Sequence, residues 1–222
     1  MKVVVFDLDD TLYKEIDYLR SAYRYIASQL AVDDAGCERV FSTLYNAYND
    51  GKDAFAVLLD SCDWEGLTKE ALLGWYRSHK PGISLSDGCE GLLSHLAAKG
   101  CRLGIITDGR TVTQMNKIEA LGLGRYIDDD DIVISERFGS SKPSPANYLH
   151  FMNKYGADAR YYYIADNTAK DFIAPNRLGW TTVCLKDNGQ NVHKQDFSLS
   201  DELLPRYTVE GFGDSLFELL NL

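Results

Sequence analysis

An α/β fold is expected from this chain: a Rossmann-like parallel sheet with helices on both faces, plus an all-helical block inserted after the first strand. Three observations lead there. The chain opens on Val3-Val4-Val5-Phe6, the apolar and mostly β-branched run of a strand buried on both faces. Residues 14–80 then show helical spacing and no strand-like alternation. Beyond residue 82, short apolar runs alternate with helical stripes, as in a parallel sheet joined by crossover helices.

The elements follow in order. In the insert, Ile16, Leu19, Tyr23, Ile26, Ala27 and Leu30 fall at helical spacing. A second stripe (Val40, Phe41, Leu44, Tyr45, Tyr48) stops at Asn49-Asp50-Gly51, and a third holds Phe55, Leu58 and Leu59. A fourth (Leu72, Trp75, Tyr76, His79) starts after Thr68 as N-cap, and Pro81-Gly82 closes the block. A helix from about Gly88 to Lys99 then ends on Gly100, a C-cap glycine. Arg102 to Thr107 is a strand, followed by a helix carrying Val112, Met115, Ile118 and Leu121. Ile132 to Ile134 is a short strand, and Pro145 suits the first turn of the next helix. Tyr161 to Ala165 is a strand, followed by a helix that Pro175 should break. Thr181 to Leu185 and Tyr207 to Val209 are the last strands, with a polar loop from Lys186 to Pro205 between them and a closing helix over 212–221. The expected division is a core of residues 1–12 and 83–222 and a helical cap of residues 13–82.

At 222 residues, a domain with an insertion fits the length. The net charge of −10, from 23 basic against 33 acidic residues, leaves no basic surplus for nucleic acid or an anionic membrane. No apolar run reaches the length of a bilayer span, and no secretory leader is expected at the N-terminus. Cys37, Cys62, Cys89, Cys101 and Cys184 are odd in number, scattered and never spaced Cys-x-x-Cys, so inert thiols of a cytoplasmic protein are expected and a zinc site is not. His79, His95, His150 and His193 read as surface or boundary residues, and no Ser/His/Asp arrangement emerges from their spacing. A monomer or homodimer is expected.

The chemistry concentrates at strand ends. Ligands of open parallel sheets sit beyond the carboxyl ends of the strands. Asp7 and Asp9 follow the first strand, and Thr107-Asp108-Gly109 ends the second. Asp166 follows a later one, with Asp171 nearby, and Lys142 opens a helix from a loop on the same side. Crowded carboxylates repel one another, so a cation or a reaction must hold them. Two carboxylates, a hydroxyl, a cation and a further carboxylate pair form a parts list for Mg²⁺-assisted phosphoryl transfer through a covalent intermediate. Asp10-Thr11 reads as local capping, and Asp128 to Asp131 as a solvated or capping run, because consecutive residues do not face one direction.

Four segments in order resemble the haloacid dehalogenase-like hydrolases, in their helical-cap phosphatase branch: Phe-Asp-Leu-Asp-Asp-Thr-Leu, Ile-Ile-Thr-Asp-Gly, Ser-Lys-Pro-Ser-Pro and Ala-Asp-Asn-Thr-Ala-Lys-Asp. The resemblance covers the whole chain and implies a phosphatase acting on a small phosphorylated metabolite, a sugar phosphate or a nucleoside monophosphate. It implies that Asp7 attacks phosphorus and that Asp9 handles the proton. It implies that Asp7, the Asp9 carbonyl and Asp166 hold Mg²⁺, and that Lys142, Thr107 and the nearby N–H groups at Asp108 and Gly109 bind the phosphoryl group. Asp171 would orient metal waters or Lys142. Ala165 stands where the family usually has Gly, and Lys170 replaces a frequent Asn and is expected to alter charge near the metal. Asp9 argues against a dehalogenase, whereas a phosphomutase shares every core residue. A regulatory module that has lost turnover, or a receiver-like phosphoacceptor, are the readings from other classes. Selection of the substrate should rest with the insert, where Tyr13, Lys14, Tyr18, Arg20, Tyr23 and Arg24 follow the first motif.

Overall fold

The computed structural model describes residues 1–61 and 65–220. Strand β1 (Lys2–Phe6) is followed by helices α1 (Glu15–Leu30), α2 (Asp34–Asn49), α3 (Ala54–Ser61) and α4 (Lys69–Ser78). The chain then runs through α5 (Asp87–Ala98), β2 (Arg102–Thr107), α6 (Thr111–Ala120), β3 (Ile132–Ile134), α7 (Ser135–Phe138) and α8 (Ala146–Tyr155). It closes with β4 (Arg160–Ala165), α9 (Ile173–Arg177), β5 (Thr181–Leu185), β6 (Tyr207–Val209) and α10 (Asp214–Leu219).

The six strands form one sheet in the order β3-β2-β1-β4-β5-β6, every adjacent pair parallel. The α/β, Rossmann-like fold is as expected. Val3, Val4, Val5 and Phe6 are fully buried because β1 is central and both faces are covered. Val4 and Phe6 pack with Leu92, Leu93 and Ile105 on one side. Val3 and Val5 pack with Tyr148, Phe151 and Trp180 on the other. Gly104 in β2 permits this second layer, since a Cβ there would lie 2.3 Å from the Phe151 ring.

Helices α1 to α4 enclose a third apolar cluster of their own, centred on Ile26, Leu44, Leu58 and Leu72. Thr68 caps α4 by accepting from the Ala71 N–H at 3.2 Å. Three expectations need correction. His79 is buried, held by the Tyr76 carbonyl at 2.9 Å and by the Tyr18 ring. Val112 is half exposed, because α6 turns Gln114, Lys117 and Ile118 inward instead. Asp131 is buried and receives bonds from Lys154 Nζ at 2.8 Å and Tyr155 Oη at 2.6 Å, so it is not a solvated member of its acidic run. Cys62 and residue 221 of the closing helix lie outside the described residues; Cys37, Cys89, Cys101 and Cys184 are free thiols.

Candidate active site

Strand order locates the site before any side chain is considered. The chain runs outward from β1 through β2 to β3, then returns to place β4 on the opposite flank of β1. The crevice beyond the carboxyl ends of β1 and β4 is therefore the switch point where such sheets take ligands. Asp7 leaves β1 there, its N–H still donating to the Ile164 carbonyl at 2.9 Å, and Asp166 leaves β4 beside it.

Asp10 gives the loop after β1 its shape. It is the sole described non-glycine residue with positive φ (54°). Its carboxylate accepts the Glu15 N–H at 2.9 Å and the Val192 N–H at 2.7 Å. Those bonds favour the left-handed backbone, which an aspartate tolerates better than most residues. They also tie the start of α1 and the loop after β5 to the site. Capping was expected at Asp10; the long-range bond to Val192 was not.

Charge accumulates on this rim. Carboxylate oxygens of Asp7, Asp166 and Asp171 come within 4.8 Å of one another. Lys142 Nζ answers them, 2.5 Å from Asp7 Oδ1, 2.8 Å from Asp171 Oδ1 and 3.3 Å from Tyr163 Oη. One ammonium against three carboxylates leaves the cluster two charges short. Burial accordingly lifts Asp7 to about 7 even with Lys142 pulling it down. Burial, reinforced by Asp7 and Asp171, lifts Asp166 to about 8. Burial opposes the charge of Lys142 as well, but Asp171 and Asp7 overcome it and hold the ammonium protonated.

Such a cluster can hold a divalent cation, and its donors fit the role. Asp171 is committed on both oxygens, one beside Lys142 and the other accepting the Asn167 N–H at 3.0 Å. Asp166 Oδ2 accepts from Asn191 Nδ2 at 2.9 Å. Asp7 Oδ2 and Asp166 Oδ1 remain without protein donors among the described residues. Two free, hard carboxylate oxygens suit a cation that keeps much of its water. Asp171 was expected on a helix; it precedes α9 and is fully buried. The helical bond from residue 175 to the Asp171 carbonyl is lost to Pro175, and Tyr148 Oη donates to that carbonyl instead at 3.1 Å.

The loop after β2 departs further from expectation. Thr107 Oγ1 accepts from Gln114 Nε2 at 2.6 Å, and its own O–H has no acceptor among the described residues and can donate. The Asp108 carboxylate is a strut, accepting the Lys142 N–H at 3.0 Å and Lys170 Nζ at 2.8 Å; the group expected beside phosphate there is the backbone N–H. Lys170 is thereby committed to Asp108 rather than to the metal cluster. The Gly109 N–H, also expected to bind phosphate, donates to Ser135 Oγ at 2.9 Å. Glycine is needed at 109 for two reasons, a φ of 149° and the Gln114 side chain only 3.2 Å from where a Cβ would stand.

Asp9 sits on the same cavity, of about 100 Å³, with Asp7, Thr107, Asp166 and Lys170. Its Oδ1 accepts from Tyr13 Oη and from Lys117 Nζ at 2.7 Å, and its Oδ2 from Gln114 Nε2 at 2.9 Å. Burial alone would raise the Asp9 carboxyl, but Lys117 and these donors win and hold it below the ordinary carboxylate value. Tyr13 marked the edge of the chemistry in the sequence, yet its hydroxyl reaches back into it. Gln114, Lys117 and Asn191 were missed altogether. The first two share a helix face three residues apart, a signal masked by the apolar residues around them; the polar loop holding Asn191 carries no local signal. Of the insert residues, Tyr18 and Tyr23 are buried in the core, while Arg20 and Arg24 pair with Asp17 and Glu38.

A family model described as haloacid dehalogenase-like hydrolase matches residues 4–185. The chain belongs to the haloacid dehalogenase-like hydrolases. It is 29% identical to a glyceraldehyde 3-phosphate phosphatase of Methanocaldococcus jannaschii, covering 100% of this chain and 96% of that protein. A phosphoglycolate phosphatase of Rhodospirillum rubrum is 25% identical, with 83% and 79% covered. Among solved structures, magnesium-bound YfnB of Bacillus subtilis superposes with a TM-score of 0.66 at 21% identity, covering 100% and 99%. A HAD phosphatase of Thermococcus onnurineus gives 0.59 at 21% identity, covering 99% and 98%. These likenesses put the hydrolase fold across the whole chain. No described helix is long and apolar enough to cross a membrane.

Proposed function

We propose that this hydrolase is a Mg²⁺-dependent phosphatase of a small phosphorylated metabolite, working through an aspartyl phosphate on Asp7. The observation that carries the proposal is the meeting of Asp7, Asp9, Lys142 and Asp166 on one rim, with Lys142 Nζ on Asp7 and two carboxylate oxygens free for a cation. The relatives named glyceraldehyde 3-phosphate phosphatase and phosphoglycolate phosphatase support the reaction and the size of the substrate. The magnesium in YfnB supports the choice of ion.

Asp7, Asp166 and the Asp9 carbonyl would hold the ion, which when bound offsets the negative charge of the carboxylates and of the phosphoryl oxygens. Asp7 forms a bond to phosphorus as the bond to the leaving oxygen breaks, and Asp9, a carboxylate in the free site, takes the proton of the phosphate monoester monoanion and passes it to that oxygen. Asp9, then a carboxylate, takes a proton from water as the water oxygen bonds phosphorus and the Asp7–phosphorus bond breaks. Lys142 neutralises Asp7 and the transferred group, and the free Thr107 hydroxyl donates to a phosphoryl oxygen. Asp171 fixes Lys142. Residues 13–82 act as a cap over residues 1–12 and 83–222, and their separate apolar cluster supports the division. The free thiols among the described residues support a reducing compartment, and a cytoplasmic protein, monomer or homodimer, is proposed.

The test is phosphate release from a panel of phosphorylated metabolites with and without Mg²⁺. Activity should require the ion, favour small phosphate monoesters and vanish in Asp7→Asn while the fold persists. Full activity in Asp7→Asn would end the assignment.

A further inference from the structure

Two buried polar side chains on one face of α6 have no part in the mechanism above. Gln114 is 2% exposed and Lys117 3%, one helical turn apart beneath the loop that carries Asp9. A buried ammonium is strongly unfavourable unless it is paired. Lys117 has one salt-bridge partner among the described residues, Asp9 at 2.7 Å, and its Nζ also lies 4.4 Å from the centre of the Tyr18 ring. Gln114 Nε2 reaches Asp9 Oδ2 at 2.9 Å and Thr107 Oγ1 at 2.6 Å. Neighbouring residues of the same turns hold the end of the insert: Thr113 Oγ1 donates to the Arg77 carbonyl at 3.1 Å, and Asn116 Nδ2 to those of Ser78 and His79 at 3.1 Å.

The donors divide unevenly over Asp9. A carboxylate oxygen has about two lone-pair positions. Oδ1 receives both Tyr13 Oη and Lys117 Nζ and is saturated, whereas Oδ2 receives Gln114 alone among the described residues. We propose that Lys117 and Gln114 are positioning residues for Asp9: Lys117, with Tyr13, pins Oδ1, and Gln114 orients Oδ2 while leaving its second lone-pair position for the proton that goes to the leaving group. Helix α6 thereby ties the orientation of Asp9 to the last helix of the insert. The inference rests on the acid–base role given to Asp9 in the proposed function.

The test compares leaving groups. p-Nitrophenolate departs without a proton, whereas the alkoxide of an alkyl phosphate needs one. The probes are p-nitrophenyl phosphate and whichever of glyceraldehyde 3-phosphate and 2-phosphoglycolate the wild type hydrolyses faster. kcat/KM is the quantity read, because it covers the steps through departure of the leaving group and omits the later hydrolysis common to both substrates. Lys117→Met and Gln114→Leu should each lower kcat/KM on the alkyl phosphate about 100-fold or more, and on p-nitrophenyl phosphate less than about tenfold. Asp9→Asn should show the same split, and Lys117→Arg should recover part of the loss. Equal losses on both probes, as a purely structural role would give, or no loss on either, overturn the proposal. Gln114→Leu removes no charge and carries the test if Lys117→Met does not fold. A wild type without Asp7-dependent phosphate release overturns the phosphatase assignment and this proposal with it. An active wild type with equal losses overturns this proposal alone.

Discussion

Stripped of divalent cations, the protein should lose stability as pH rises from about 5 to about 8, and Asp166 should be one of the main causes. Burial, with Asp7 and Asp171 adding to it, lifts the Asp166 carboxyl from 3.8 to about 8. Between those values the native carboxyl keeps a proton that the unfolded chain has already released. The native state then binds more protons than the unfolded one, so stability falls with rising pH. One proton corresponds to about 1.4 kcal/mol per pH unit, or about 4 kcal/mol over about three units. For a chain of this size that is a fall in Tm of about 8–16 °C. Asp7, lifted to about 7, and Glu15, lifted by burial to about 8, act in the same direction, whereas His79, lowered by burial, acts oppositely in the acid part of the range. The difference between wild type and Asp166→Asn cancels the His79 contribution. Magnesium binds the ionised carboxylates, so its stabilisation should be small near pH 5 and largest near pH 8. Scanning calorimetry in chelator and in excess magnesium, on both proteins, measures all four curves. A chelator curve that is flat or rises with pH, or an Asp166→Asn curve of unchanged slope, would refute the reasoning.

Three further outcomes are expected. Lys142→Met leaves Asp7 and Asp171 without their ammonium, which should cost about 3–5 kcal/mol in urea unfolding and about 10²–10³ in phosphatase turnover; a variant as stable and active as wild type would contradict the charge balance drawn at the rim. Asn191→Leu removes the amide on Asp166 Oδ2 and should weaken magnesium binding about 10–100-fold by titration calorimetry without substrate. Unchanged affinity would dissociate the loop from the metal site. Gly104→Ala drives a Cβ into the Phe151 ring and should lower stability by about 1–3 kcal/mol in urea while leaving turnover per folded molecule intact.

Much of the fold was legible because its signals are local. The strands at Arg102–Thr107, Ile132–Ile134, Thr181–Leu185 and Tyr207–Val209 stand where the apolar runs place them. A strand buried on both faces must be apolar throughout, and it ends where a charge or a turn begins. The carboxylates at strand ends were visible for the same reason, and strand order alone explains why Asp7 and Asp166 face one crevice.

Interactions that bridge distant segments were not legible. Gln114 and Lys117 look like polar interruptions of a helix until the sheet brings α6 under Asp9, 105 and 108 residues away in sequence. Asn191 looks like one more polar residue in a long loop until the loop folds back onto Asp166. The Asp108 carboxylate carries no signal of its own until the loops around it supply the two donors that make it a strut. The sequence by itself determined the strands, the helices and the carboxylates that repel one another at their ends, because near neighbours in the chain write those patterns. Only the tertiary structure decided which donors answer each carboxylate, because a buried charge is settled by whichever partners the packing brings within hydrogen-bond distance.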